Sequence, residues 1–156
     1  MEKIVSIAGF MLTKAIDNLD LNKFLAPMYI GYNNAKKEIK KELKGLPLEE
    51  SIPKVISMFE ENRQNVDSSA ILFPAEVGNI DISDRESIII VMAQDYIANE
   101  YITISLPYTF NNNKIKVSKY ELIDFSPFII DKLPRLEKSF VDGLLSYGDA
   151  NLIWNR

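Results

Sequence analysis

Apolar residues recur at intervals of three and four along the N-terminal third of the chain, beginning with Ile4 and Ala8. This spacing places apolar side chains on one face of a helix. It predicts three N-terminal helices, at about 3–19, 21–44 and 51–63. Each of them would bury one apolar face and leave the opposite face in water.

The second and third predicted helices carry internal and terminal signals. Pro27 and Gly31 predict a kink or break within the second helix. Gly45 suits the position just after its end, and Pro47 then stops it. Ser51 is a candidate N-cap for the third helix, because its hydroxyl can accept a bond from a free backbone N–H group.

The middle of the chain alternates strictly between apolar and polar residues over 101–110, which is the pattern of a half-buried strand. Three asparagines at 111–113 suit a tight turn, so 101–110 and 114–123 are predicted to form a hairpin. Pro107 indicates either an edge strand or an end of pairing. The apolar parity switches in the second strand, which predicts a bulge near 118–119.

The segment 83–97 admits two interpretations. Ser83 and Glu86 fit the S-x-x-E capping box that begins a helix. Residues 87–94, SIIIVMAQ, instead resemble a short buried strand because they are rich in β-branched side chains. The strand is favoured, since it would stand one turn away from its hairpin partner at 101–110.

Helical spacing returns in the last third of the chain. Ser126 followed by proline is a cap-and-first-turn signal, and it predicts C-terminal helices at about 127–133 and 134–147. The only tryptophan, Trp154, is expected to dock back onto the core.

Helices, then strands, then helices indicate an α+β fold in which the central antiparallel sheet covers about 70–123. The chain contains no internal repeat, low-complexity tract or Pro/Gly-rich linker, so 1–156 is predicted to be a single globular domain.

The amino-acid composition excludes several classes of catalytic and metal-binding site. The chain contains no cysteine and no histidine, which excludes thiolate nucleophiles, Ser-His-Asp catalysis and the commonest zinc ligands. Glycines stand singly, and neither phosphate-binding loops nor known catalytic motifs occur. A non-catalytic protein without a cofactor is therefore expected.

Residue usage and the N-terminus bear on source and location. Lysine exceeds arginine by 14 to 4, and isoleucine and asparagine are abundant, as in the AT-rich genes of some bacteria and phages. The apolar run 4–12 is too short to cross a bilayer and is followed quickly by Lys14. It is interpreted as a core helix of a soluble, cytoplasmic protein with no membrane contact.

A run of lysines lies within the second predicted helix and would share one of its sides. Its members are Lys36, Lys37, Lys40, Lys41 and Lys44. Neither an arginine nor an aromatic residue lies among them, so the two groups that grip phosphate and stack on bases are missing. The run is interpreted as a solvated face, and no nucleic acid is expected as a partner.

Acidic residues concentrate in 49–86, where nine of them stand against three basic ones. The local net charge of −6 is more negative than the −4 of the whole chain, and such a surface steers basic partners. Tyr101 is added as a candidate aromatic anchor, because it lies on the polar side of its strand. The candidate partner-binding residues are Glu60, Glu61, Glu76, Asp81, Asp84, Glu86 and Tyr101.

The function expected from these residues is a protein-binding module, such as an acidic inhibitor or an immunity-type protein. Two alternatives to it remain open. Asp81, Asp84 and Glu86 could serve a divalent-cation-dependent enzyme, although Asp84 and Ile90 occupy the positions where a calcium loop needs Gly and Glu. Aromatic residues of the strand region could instead line a small-molecule pocket. These are Tyr96, Tyr101, Tyr108, Phe110, Tyr120, Phe125 and Phe128.

Overall fold

The computed structural model describes residues 1–20, 25–33, 37–77, 86–111, 114–148, 150 and 154. Within these residues the chain forms an α+β structure, as the sequence predicts. The elements in chain order are α1 (Glu2–Asp20), β1 (Met28–Tyr32), β2 (Glu38–Glu42), α2 (Leu48–Glu61), β3 (Ser68–Val77), β4 (Glu86–Asp95), β5 (Glu100–Asn111), β6 (Lys114–Val117), β7 (Glu121–Phe125), a 3₁₀ helix (Pro127–Lys132) and α3 (Leu133–Ser146).

All the strands belong to one antiparallel sheet. Their order is β2-β1-β3-β4-β5, and β6 and β7 lie one after the other along the outer edge of β5. β2 and β3 both pair with β1 and are therefore parallel to each other, with α2 as the connection between them. The helices α1 and α3 pack on one face of the sheet, and α2 packs on the other.

The central strand β3 contributes side chains to the cores on both faces of the sheet. Ala70 and Leu72 belong to the core under α1 and α3, whereas Ile71 and Phe73 belong to the core under α2. All four side chains are buried. A strand covered on both faces needs apolar residues at every position, and this explains the unbroken run AILF in the sequence.

The helices α1 and α3 touch backbone to backbone at two glycines. A methyl group added to Gly143 would lie 1.9 Å from the carbonyl oxygen of Ser6, and one added to Gly9 would lie 2.2 Å from that of Phe140. Near the same crossing, the Thr13 hydroxyl donates to the carbonyl of Leu144 over 2.7 Å.

Trp154 docks onto the core, as predicted from the sequence. Its side chain packs against the core under α1 and α3, and its indole N–H donates to the Thr13 hydroxyl over 3.0 Å. The bond satisfies the one polar group of a large apolar side chain.

The prediction of a helix over 21–44 is wrong, because Met28–Tyr32 and Glu38–Glu42 are the antiparallel strands β1 and β2. β1 is an inner strand, and Met28, Tyr29 and Ile30 are all buried because both of its faces are covered. Three consecutive buried side chains suit a strand between two layers better than a helix with one apolar face. Residues 21–24 and 34–36 of the predicted helix lie outside the described residues.

The lysine run consequently lies on the sheet edge and not on a helix. Lys40 and Lys41 point to opposite sides of β2, since they stand opposite Ile30 and Tyr29 of β1. Both are exposed, as are Lys37 and Lys44, while Lys36 lies outside the described residues. Lysines on an outer strand oppose pairing with another chain, so they protect this edge from aggregation.

The strand interpretation of 83–97 is confirmed over Glu86–Asp95, which forms β4 and pairs with β5. The capping-box positions 83–85 lie outside the described residues. Ile89 and Val91 face α1 and α3, and Ile88 and Ile90 face α2. Burial on both faces explains why this strand shows no alternation.

The predicted hairpin is confirmed, and Pro107 marks an end of pairing within it. On the outer side of β5, Tyr108 pairs with Val117 and Ser105 pairs with Glu121. Between these two pairs, β5 advances by three residues, from Tyr108 to Ser105, whereas the neighbouring segment advances by four, from Val117 to Glu121. The extra residue falls within 118–120, which confirms the bulge predicted there. Because β5 has neighbours on both sides, it is not an edge strand.

Two predicted caps form different contacts. Ser51 is buried inside α2, whose N-cap residue is Pro47, and so it does not begin that helix. Ser126 precedes the 3₁₀ helix without capping it, and its Oγ accepts a bond from the Tyr101 N–H over 3.1 Å. The two predicted C-terminal helices are the 3₁₀ helix Pro127–Lys132 and α3.

Tyr29 provides a test of this packing. Its side chain is fully buried, and no described residue forms a regular hydrogen bond with its hydroxyl. Burial raises the pKa of Tyr29 to about 12, with a smaller contribution from Tyr96. We expect Tyr29→Phe to raise the free energy of unfolding by about 1 kcal/mol at pH 7, because it removes a desolvated hydroxyl that has only a weak contact with Ser69, which is itself bonded to Tyr96.

The same substitution should also weaken the alkaline loss of stability. A tyrosine ionises near pH 10 in the unfolded chain, and Tyr29 ionises near 12 in the folded one. Ionisation of Tyr29 is therefore harder in the folded protein than in the unfolded chain, and the free energy of unfolding falls as the pH rises from 10 to 12. Urea unfolding at pH 7, 10 and 11 should show a smaller decline for the variant. A decline equal to that of the wild type would contradict this.

Candidate functional site

The acidic candidates do not all lie in one place. Glu60 and Glu61 are exposed at the end of α2, where Glu61 forms an ion pair with Arg63. Tyr96, which follows β4, donates a hydrogen bond to the carbonyl of Phe59 and thereby ties this end of α2 to the start of β3.

Glu76 and Glu86 lie at the other end of the same strand pair, on β3 and β4 respectively. The eight steps along β3 from Ser68 to Glu76 correspond to about 27 Å of strand. Two pairs of predicted partner-binding acids are thus separated by most of the length of the sheet. Asp81 and Asp84 lie outside the described residues.

Tyr101, the candidate aromatic anchor, is half-buried at the start of β5. Its backbone is fixed by Ser126, whose N–H donates to the Tyr101 carbonyl over 3.0 Å. This contact brings the start of β5 next to the end of β7 and the beginning of the 3₁₀ helix. The turn between β4 and β5 lies at the same end of the sheet, because Asp95 pairs with Glu100.

Large apolar side chains stand in solvent at this end of the sheet. Phe128 is 82% exposed, Ile97 is 69% exposed and Ile130 is 60% exposed. We call these three residues the apolar end. Single exposed apolar residues are ordinary on a protein surface, but several at one site are typical of an interaction surface.

The turn that carries Ile97 is held in place by Asp95. Its Oδ1 accepts hydrogen bonds from the N–H groups of Ile97 and Ala98, both over 3.0 Å, and its Oδ2 lies 3.3 Å from the terminal ammonium of Met1. Asn99 completes the turn with a left-handed backbone at φ 54°, a conformation that asparagine tolerates well. Ile97 is thus presented by an ordered turn.

The 3₁₀ helix presents Phe128 and Ile130 on either side of a buried anchor. Ile129 is fully buried in the core, so its two neighbours are turned outward. Lys132, at the end of the same helix, lies 2.7 Å from the nearly buried carboxylate of Glu100. The isoleucine and the ion pair together fix this segment against the sheet.

The charges near the apolar end leave it acidic. Lys132 is engaged by Glu100. Asp124 and Asp131 are both exposed, one just before the 3₁₀ helix and one within it, and neither forms an ion pair with a described residue. The site therefore combines exposed apolar side chains with two carboxylates that form no ion pair with a described residue. Such a surface can recognise a protein partner.

Three or more acidic side chains do not come together as a metal site anywhere in the part of the chain that the structure describes. In the same residues, none of the helices has the length and apolar character needed to cross a membrane. The cation-site candidates Asp81 and Asp84 are outside that part, so the divalent-cation alternative stays a prediction from the sequence.

Comparison of the chain with protein-family models, with curated proteins and with solved structures gives no match in any of the three. Function is therefore inferred from the residues of this chain and their geometry.

Proposed function

We propose that the protein is a non-catalytic module that binds another protein, and that the apolar end is the centre of the interface. The observation that carries this proposal is the 82% exposure of Phe128 at the end of the sheet that also carries the exposed Ile97 and Ile130. Aromatic side chains at the centre of an interface often contribute most of its binding free energy. Ile129 and the Glu100–Lys132 ion pair hold the segment in place, so little ordering would be needed on binding.

We infer that the partner is basic. Asp124 and Asp131 supply negative charge beside the apolar end, and the whole chain has a net charge of −4. Complementary charge accelerates association and selects among partners more than it adds affinity. Binding should therefore weaken at high salt, while the apolar contacts persist.

We expect Phe128→Ser to reduce partner capture at least tenfold, because the substitution removes the most exposed apolar side chain of the proposed interface. The measurement is affinity capture from source cells at low and high salt, followed by identification of the captured proteins. Phe110→Ser is the matched control, since Phe110 is also exposed, at 52%, but lies at the opposite end of β5.

The expected result is one basic protein held by the wild type and by Phe110→Ser, and lost with Phe128→Ser. Equal capture by both variants would overturn the assignment of the surface, and an acidic partner would overturn the charge argument. Sedimentation of the purified protein tests a further outcome. A dimer that Phe128→Ser dissociates would mean that a second copy occupies the apolar end, against the proposal.

A further inference from the structure

A pocket of about 270 Å³ lies between α3, β5 and β7. Ile102 and Ile104 of β5 form its floor, and Leu136 and Phe140 of α3 form its roof. Its mouth lies beside the bulge that separates β6 from β7, where Tyr120 is found. Its walls are mostly apolar, and one side of it opens to solvent.

The fold itself keeps the pocket open. Backbone contact at Gly9 and Gly143 fixes α3 against α1. Tyr120 then stands against Phe140 in an edge-to-face contact, with 5.0 Å between the ring centroids. Both rings line the pocket, so the pocket is part of the ordered packing of α3.

The polar groups at the mouth have a defined chemistry. The Tyr120 hydroxyl donates to Oε1 of Glu137 over 3.4 Å. Burial, and then the charge of Glu137, raise the pKa of Tyr120, so its hydroxyl stays protonated at neutral pH. The lone pairs of the phenol oxygen and the second carboxylate oxygen remain as acceptors. Lys119 also lines the pocket.

We propose that this pocket binds an uncharged, mainly apolar small molecule that carries one hydroxyl or amide N–H donor. Its apolar body would lie between Ile104 and Phe140, and its donor would bond to Glu137 or Tyr120 at the mouth. At the packing density of protein interiors, the volume accommodates on the order of ten non-hydrogen atoms. A charged group inside the apolar walls would lose its hydration without a partner. This site is separate from the apolar end and does not depend on the proposed function.

Three probes that share one ring test the proposal: benzyl alcohol, benzoate and benzylamine. Each is titrated into the full-length protein and followed by NMR of the methyl groups. We expect saturable binding of benzyl alcohol at the pocket, with an affinity at least tenfold higher than that of benzoate, whose carboxylate has no proton to donate to Glu137. Tighter binding of benzoate or benzylamine would overturn the uncharged class of ligand, and no saturable shift for any probe would overturn the site.

Two neighbouring substitutions separate pocket binding from unspecific effects. Leu122→Trp adds a large side chain at the mouth, whereas Ile123→Trp adds the same side chain at the next residue, which does not line the pocket. Both residues are partly exposed, at 41% and 52%, so both variants should fold. We expect Leu122→Trp to weaken benzyl alcohol at least tenfold and Ile123→Trp to retain it. Equal binding by the two variants would contradict the assignment.

Discussion

We expect Gly143→Ala to lower the free energy of unfolding by about 3 kcal/mol, although alanine is the better helix former by about 1 kcal/mol. The added methyl group would stand 1.9 Å from the Ser6 carbonyl oxygen, and its next two neighbours are also backbone atoms of Ser6. Backbone cannot rotate away as a side chain can, so the two helices must separate. Separation would reduce packing along the whole contact between α1 and α3. Urea unfolding measures the loss.

Gly148→Ala is the matched control for this substitution. A methyl group at Gly148 meets nothing within 4 Å, and replacement of glycine at an unstrained site stabilises by about 0.4–1 kcal/mol through the unfolded chain. The two variants should therefore differ in sign. If Gly143→Ala were as stable as the wild type, the helices would not be in backbone contact there.

The sequence alone does not show why positions 9 and 143 need glycine. Gly9 and Gly143 lie within helical patterns, where a single glycine normally lowers helix stability. Each of these glycines is required by a backbone neighbour more than 130 residues away in the sequence. The spacing of apolar residues carries no information about which helices meet. The helices themselves were predictable, because each has one apolar face.

The wrong helix over 21–44 has a related cause. Ile39 and Leu43 stand four residues apart, as on a helix face, yet Ile39 lies on the outer strand β2 and packs toward α2. Lysines and glutamates around it are good helix formers, so local preference favoured the helix. Pairing with the buried strand β1 overrides that preference, and it depends on contacts that no local pattern records.

The residues of the apolar end are not among the site residues predicted from the sequence. The predicted acids lie within 49–86, and the predicted aromatic anchor was Tyr101, which is half-buried. The exposed aromatic residue at this end of the sheet is Phe128. The segment PFIID held a usable signal: three consecutive apolar residues between a proline and an aspartate are too few to be buried on all sides. Which of the three is buried depends on the 3₁₀ turn and the core below it.

Phe140→Ala should lower the free energy of unfolding by about 3–5 kcal/mol, the usual range for a buried phenylalanine. Phe140 is only 1% exposed and fills the space between α3 and the sheet, where it also contacts the ring of Tyr120. Its removal would enlarge the existing pocket, and Gly143 holds α3 too close to α1 for the helix to move inward and refill it. Urea unfolding of the variant gives the loss directly, provided that the dependence on urea concentration is unchanged.

Phe110→Ala provides the control, because Phe110 makes the same kind of edge-to-face contact, with Tyr108, at 5.8 Å between centroids. The two phenylalanines thus share a ring contact and differ in burial, since Phe110 is 52% exposed. An edge-to-face pair contributes about 0.5–1.5 kcal/mol beyond the area it buries, so Phe110→Ala should cost about 1 kcal/mol. The difference between the two losses in the free energy of unfolding then measures the contribution of burial beneath α3. Similar losses in both would mean that the ring contacts, and not the packing of α3 on the sheet, dominate at this site.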